Sequence, residues 1–121
     1  MVSGGPKGVV LVVDDEPAIR LLCKVNLELD GYDVREAGTL DEARRHLDGG
    51  VDVVLLDMHI GTERGEQLLD ELLERRIPVA VVTGSTDLAT AGASADAVLG
   101  KPFTIEELEE TVTKLVGSSR R

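Results

Sequence analysis

Short apolar runs alternate with stretches of helical period along this chain. Val9-Val-Leu-Val-Val13, Val51-Asp-Val-Val-Leu-Leu56 and Val79-Ala-Val-Val82 are dense in aliphatic residues, the pattern of strands covered on both faces. Tyr32 to Ala37 is more polar and suits a strand at a sheet edge, and Ala97-Val-Leu99 predicts a brief one. Between the strands the spacing turns helical. Pro17 fits a first helical turn; Ala18, Leu22, Val25 and Leu29 follow at i, i+4, i+7 and i+11, and Gly31 supplies a stop. Thr39-Leu-Asp-Glu42 and Thr104-Ile-Glu-Glu107 are capping boxes. The first opens a helix with Leu40, Ala43 and Leu47 on one face, the second a helix with Ile105, Leu108, Val112 and Leu115 inward. A loop through Gly61 and Gly65 leads to a further helix marked by Leu68, Leu69, Leu72 and Leu73, ending before Pro78. The stretch from Ser85 to Asp96 is rich in Ala, Ser and Thr and predicts only a short or irregular fourth helix.

Five β-then-α units of this kind imply an α/β fold: an open, doubly wound parallel sheet with helices on both faces. The small, polar ends at 1–7 and 117–121 read as disordered tails around one domain spanning 8–116. In such sheets ligands bind beyond the carboxyl ends of the strands.

Composition narrows the picture. The 121 residues suit a single domain, and with 42% hydrophobic but only 2% aromatic residues the core must be aliphatic. A balance of 13 Lys+Arg against 23 Asp+Glu, net charge −10, argues against a direct nucleic-acid or anionic-membrane surface. No apolar run reaches the roughly 18 residues of a membrane span, and the first residues carry no hydrophobic signal region, so a cytoplasmic location is expected. Cys23 is the single cysteine, which excludes an internal disulfide or a cysteine metal cluster and fits a reducing compartment; a buried, inert thiol is its expected state.

The strand ends carry the chemistry. The first strand runs into Asp14-Asp15-Glu16, the central one into Asp57, the next into Thr83-Gly84, and the last into Gly100-Lys101-Pro102-Phe103. A parallel sheet projects all of them into one crevice. Three carboxylates around one ammonium leave roughly two uncompensated negative charges, which calls for a cation. Hard oxygen ligands in an incomplete set suit Mg²⁺, which keeps waters and accepts a phosphate as co-ligand. Carboxylate, Lys, Thr hydroxyl and Mg²⁺ together are the parts for phosphoryl transfer.

Asp14-Asp15, Asp57, Thr83-Gly84 and Lys101-Pro102-Phe103, in this order, resemble the receiver domain of two-component response regulators, over roughly Gly8 to Val116. The resemblance implies a flavodoxin-like five-stranded sheet of order 2-1-3-4-5. It implies that Asp57 accepts a phosphoryl group from a sensor histidine kinase or phosphotransfer protein, and that Asp15, Asp57 and the His59 carbonyl hold Mg²⁺, with Asp14 helping through a water. Thr83 and Lys101 would contact phosphoryl oxygens, the Lys101–Pro102 bond would be cis, and Gly65 falls where receivers usually carry a glycine. Phosphorylation would switch contacts with an unidentified downstream protein, without direct nucleic-acid or membrane binding. Whether the chain is a natural single-domain regulator or part of a larger regulator or hybrid kinase stays open.

Three features depart from the family pattern. Ile60-Gly61 replaces the usual Met-Pro after the phosphoacceptor, which predicts a looser loop. Val98 stands where an aromatic switch residue is usual, three positions before the Lys, so ring-swing coupling cannot operate in that form. The segment between Thr83 and Lys101 is about four residues short, roughly one helical turn. His59 and Ser85, each two positions past a site residue, are candidates for tuning water access to the acyl phosphate. His46, Arg44-Arg45, Arg75-Arg76 and the glutamates at 106, 107, 109 and 110 read as solvated helix charges. Two other functions use similar parts. A haloacid-dehalogenase-type phosphatase needs an Asp-x-Asp pair, which Asp57-Met58-His59 lacks, and a phosphorylation-inactive interaction module would not need all five site residues.

Overall fold

The computed structural model describes residues 5–84 and 95–119. In chain order its elements are β1 (Val9–Val13), α1 (Pro17–Leu29), β2 (Asp33–Ala37), α2 (Leu40–Leu47), β3 (Val53–Asp57), β4 (His59–Ile60), β5 (Glu63–Arg64), α3 (Glu66–Glu74), β6 (Val79–Thr83), β7 (Ala97–Gly100) and α4 (Ile105–Ser119). Five strands form one parallel sheet in the order β2-β1-β3-β6-β7, while β4 and β5 make a separate antiparallel hairpin. Counted within the main sheet, this is the 2-1-3-4-5 order of the flavodoxin-like fold. Residues 85–94, with Ser85 and most of the expected fourth helix among them, lie outside the described residues.

The strands are covered on both faces, as their near-continuous apolar runs require. Val10, Val12, Val53, Leu55, Ala80 and Val82 face Cys23 and Leu27 of α1 and Leu108, Val112 and Leu115 of α4. The alternate positions Leu11, Val13, Val54, Leu56, Val79 and Val81 face α2 through Leu40, Ala43 and Leu47, and α3 through Leu68, Leu69 and Leu72. The second capping box closes fully, and the first forms with its return bond shifted by one residue. Thr104 and Glu107 each accept the other's backbone N–H, at 3.0 and 2.8 Å; Thr39 accepts from Glu42, whose own carboxylate reaches one residue further back, to Gly38.

Two expectations change. The α1 stripe of Ala18, Leu22, Val25 and Leu29 faces outward, Leu29 being 82% exposed. The helix carries a second apolar row, Ile19, Cys23 and Leu27 at i, i+4 and i+8, and the sheet takes that one. At the C-terminus α4 continues through Ser119, so 117–119 are helical rather than a tail; Gly117 is an interior helical position with open space around it. Near the other end, Lys7 donates its backbone N–H to the Gly31 carbonyl at 2.9 Å.

Candidate functional site

Sheet register lines up the rim. Val13 pairs with Leu56, Asp57 with Val82, and Thr83 with Gly100. Asp14 and Asp57 therefore leave adjacent strands at the same level, and Lys101 follows Thr83's partner, its N–H donated to the Thr83 carbonyl at 2.9 Å. Asp14, Asp57 and Thr83 are all buried, at 2%, 6% and 3% exposure, the only buried polar residues among those described. Burying charges is costly unless they are paired, so the pairing identifies the site.

Lys101 supplies that pairing. Its Nζ lies 3.0 Å from Asp14 Oδ2, 3.3 Å from Asp57 Oδ2 and 3.3 Å from Glu16 Oε1. Burial pulls the ammonium pKa down, but the Asp14 hydrogen bond and the charges of Asp14 and Asp57 outweigh it and hold Lys101 above its usual range. Asp14 is raised above the usual carboxylate value by burial, with the Asp57 charge adding to it, against the lowering effects of the Glu16 N–H and Lys101. Asp57 Oδ1 accepts the His59 N–H at 3.1 Å and Asp14 Oδ1 the Glu16 N–H at 2.9 Å. Each carboxylate thus has one oxygen fixed by the main chain and one turned to the shared centre.

Asp15 is exposed but not loose: its Oδ2 accepts the Gly61 N–H at 3.0 Å. The loop that presents Gly61 is a two-rung hairpin, His59 opposite Arg64 and Ile60 opposite Glu63, with Ile60 buried in the α2–α3 side of the core. The looseness expected of Ile60-Gly61 is replaced by this anchored hairpin, whose turn uses Gly61 at φ +60°. The hairpin closes onto Gly65, where an added Cβ would stand 2.7 Å from the Asp57 carbonyl oxygen and 2.9 Å from Met58 Cα. Only glycine lets the chain pass that close to the backbone of Asp57.

The Lys101–Pro102 peptide is cis. His59 lies exposed on the hairpin, and Val98 is a 37% exposed residue on the edge strand β7, opposite Val81. Two contributors went unassigned in the sequence. Glu16 is a third carboxylate partner of Lys101, signalled only by its place in the Asp-Asp-Glu run. Arg20 donates from Nη1 to the Asp14 carbonyl at 2.6 Å; no spacing rule marks it.

One carboxylate oxygen from each of Asp14, Asp15 and Asp57 can be chosen so that all three lie within 4.8 Å of one another. This cluster of hard oxygen donors, two of them buried, could hold a metal ion.

A family model described as the response regulator receiver domain matches residues 10–113. The chain is 37% identical to the transcriptional regulatory protein TrcR of Mycobacterium tuberculosis, over 93% of this chain and 45% of that protein. It is 35% identical to the KDP operon transcriptional regulatory protein KdpE of Escherichia coli, over 83% of this chain and 47% of that protein. The chain spans no more than about half the length of the curated relatives it matches. A CheY-like response regulator receiver domain protein from Methanospirillum hungatei superposes with a TM-score of 0.84 at 28% identity, covering 93% of this chain and 96% of that one. The chain belongs to the response-regulator receiver domain family and is a module of two-component signalling.

Proposed function

We propose that Asp57 is the phosphoacceptor and that the rim residues carry out a Mg²⁺-dependent phosphoryl transfer onto it. The observation that supports this most is the convergence on Lys101: one ammonium within 3.3 Å of both buried aspartates, with Asp15 completing the acidic set. Asp14, Asp15 and Asp57 would hold Mg²⁺, with the His59 carbonyl as a further donor. Bound there, the cation neutralises charge on the transferring group.

Asp57 Oδ2 attacks the phosphorus of a phosphohistidine on a kinase or phosphotransfer protein. A P–O bond forms as the P–N bond breaks, and the departing imidazole keeps the bonding pair. The His59 N–H holds Oδ1 and so orients the carboxyl group, while Lys101 and the Thr83 hydroxyl receive the phosphoryl oxygens. The product adds roughly −1.5 to −2 charge at a buried position. Lys101, divided among three carboxylates before transfer, is drawn to the new charge, and with it the β7 end that its backbone shares with Thr83. Since Val98 replaces the usual aromatic, output runs through this movement of Thr83 and Lys101 rather than through a ring swing. The partners are a sensor histidine kinase or phosphotransfer protein and a downstream protein target, in the cytoplasm; among the described residues no helix is long and apolar enough to cross a membrane.

The test is acetyl phosphate with Mg²⁺, read by intact-protein mass spectrometry. One acid-stable, hydroxylamine-labile phosphate on the wild type and none on Asp57→Asn is expected, and chelation of Mg²⁺ should abolish labelling. No labelling of the folded wild type would favour an inert interaction module, and multiple turnover of small phosphate esters a phosphatase.

A further inference from the structure

Arg20 sits on α1 outside the acidic cluster, yet its side chain is only 20% exposed. Its Nη1 donates to the Asp14 carbonyl at 2.6 Å and its Nε to Glu36 Oε1, at the end of β2, at 3.2 Å. The need for this contact follows from the sheet. Asp14 still donates its N–H to the Ala37 carbonyl at 3.0 Å, but β2 ends at Ala37, so the ladder offers the Asp14 carbonyl no next amide. Arg20 takes the place of that missing donor. Gly38 leaves it room: a Cβ there would stand 3.1 Å from Nη1.

The carbonyl of Asp14 belongs to the peptide plane joining Asp14 to Asp15. Fixing that plane fixes the direction in which the Asp15 side chain leaves the backbone, while the Gly61 N–H holds the carboxylate at its far end. We infer that Arg20, braced by Glu36, is a positioning residue that sets the Asp14–Asp15 turn for divalent-cation binding. This rests on the reading of Asp14, Asp15 and Asp57 as the cation site. Groups next to metal ligands typically change affinity about 10–100-fold when removed.

Charge and position make opposite predictions, which allows a clean test. Neutralising a cation close to an acidic site removes repulsion toward Mg²⁺, so charge alone predicts tighter binding in Arg20→Met. Positioning predicts looser binding, by about tenfold. Arg20→Lys keeps the charge but loses the planar fork that spans Asp14 and Glu36 together, so an intermediate loss is expected, where charge alone predicts none. The measurement is a Mg²⁺ titration followed by NMR amide shifts of Asp15 and Gly61, with thermal unfolding in the absence of metal as a control for folding. Unchanged or tighter Mg²⁺ binding in folded Arg20→Met would overturn the inference. If that variant does not fold, Arg20→Lys decides: wild-type affinity overturns the inference, weakened affinity supports it. A wild type that binds no Mg²⁺ would instead sink the cation-site reading, and the inference with it.

Discussion

Aspartates stand at both ends of the parallel sheet, and the two ends use them differently. At the amino-terminal rim, Asp52 Oδ2 accepts the first N–H of β1, from Val9, at 2.7 Å, and Asp96 Oδ2 accepts the first N–H of β6, from Val79, at 2.9 Å. The backbone N–H of each aspartate bonds back to the carbonyl of the same partner, so each closes a two-bond clamp between neighbouring strands. At the carboxyl rim, Asp14 and Asp57 likewise accept a main-chain N–H with one oxygen, but here the other oxygen turns toward Lys101. One end uses carboxylates to finish the ladder; the other gathers them where no ladder remains. The difference teaches that a carboxylate's second oxygen, and what faces it, separates a structural aspartate from a chemical one.

The largest effect that could break this comparison is all or none. Asp57→Asn should abolish labelling by acetyl phosphate, while Asp52→Asn, which keeps an acceptor for Val9, should label like the wild type. A loss at Asp52 as complete as at Asp57 would mean the two rims are not separate. Within the carboxyl rim, Asp15→Ala should weaken Mg²⁺ binding more than Asp14→Ala, measured by calorimetry. Asp14 is already committed to Lys101 at 3.0 Å, whereas Asp15 has no ion-pair contact with that ammonium within 4.0 Å. Equal affinities would count against the assigned coordination.

Stability should run the other way. Asp52→Ala strands the partly buried Val9 N–H, at a cost of about 1–3 kcal/mol. Asp15→Ala releases only the exposed Gly61 N–H to water and should stay within about 0.5 kcal/mol. Urea unfolding without metal distinguishes them, and a reversed order would show that the exposed turn, not the strand clamp, supports the fold.

Much of this site was legible in the residues because strand ends are where apolar runs stop. Asp14, Asp57 and Thr83 each follow such a run directly and Lys101 follows one after Gly100, and the parallel register brings them together without further information. The clamp aspartates were not legible: Asp52 and Asp96 lie just before strands, where a polar residue is ordinary, and their partners come from other strands. Helix α1 was misread for a related reason. Two apolar rows share one helix, periodicity rates both as inner faces, and only the docked sheet selects Cys23 and Leu27 over Leu22 and Leu29. The hairpin at His59–Arg64 was hidden because two rungs are too short for an alternating pattern to register.

The smallest expected effect reports on the carboxyl rim from beneath it. Cys23, buried on the sheet side of α1, has its thiol pKa pushed up to about 12, by burial first and then by the negative charge of Asp14, with Lys101 opposing. The unfolded thiol titrates near 9.0, the ordinary value for a solvated cysteine. Between those two values the folded chain binds more protons than the unfolded one, so stability falls as pH rises across that window. The stability of wild type relative to Cys23→Ala should therefore decline from pH 9 to 12, and hold level below it. In the native protein at neutral pH the thiol should react with alkylating reagents only as fast as the chain opens. Adding urea below the midpoint should then speed modification in step with the unfolded fraction. Rapid modification of folded protein would show that solvent reaches the helix–sheet seam next to Asp14, and that the carboxyl rim is less closed than its buried charges require.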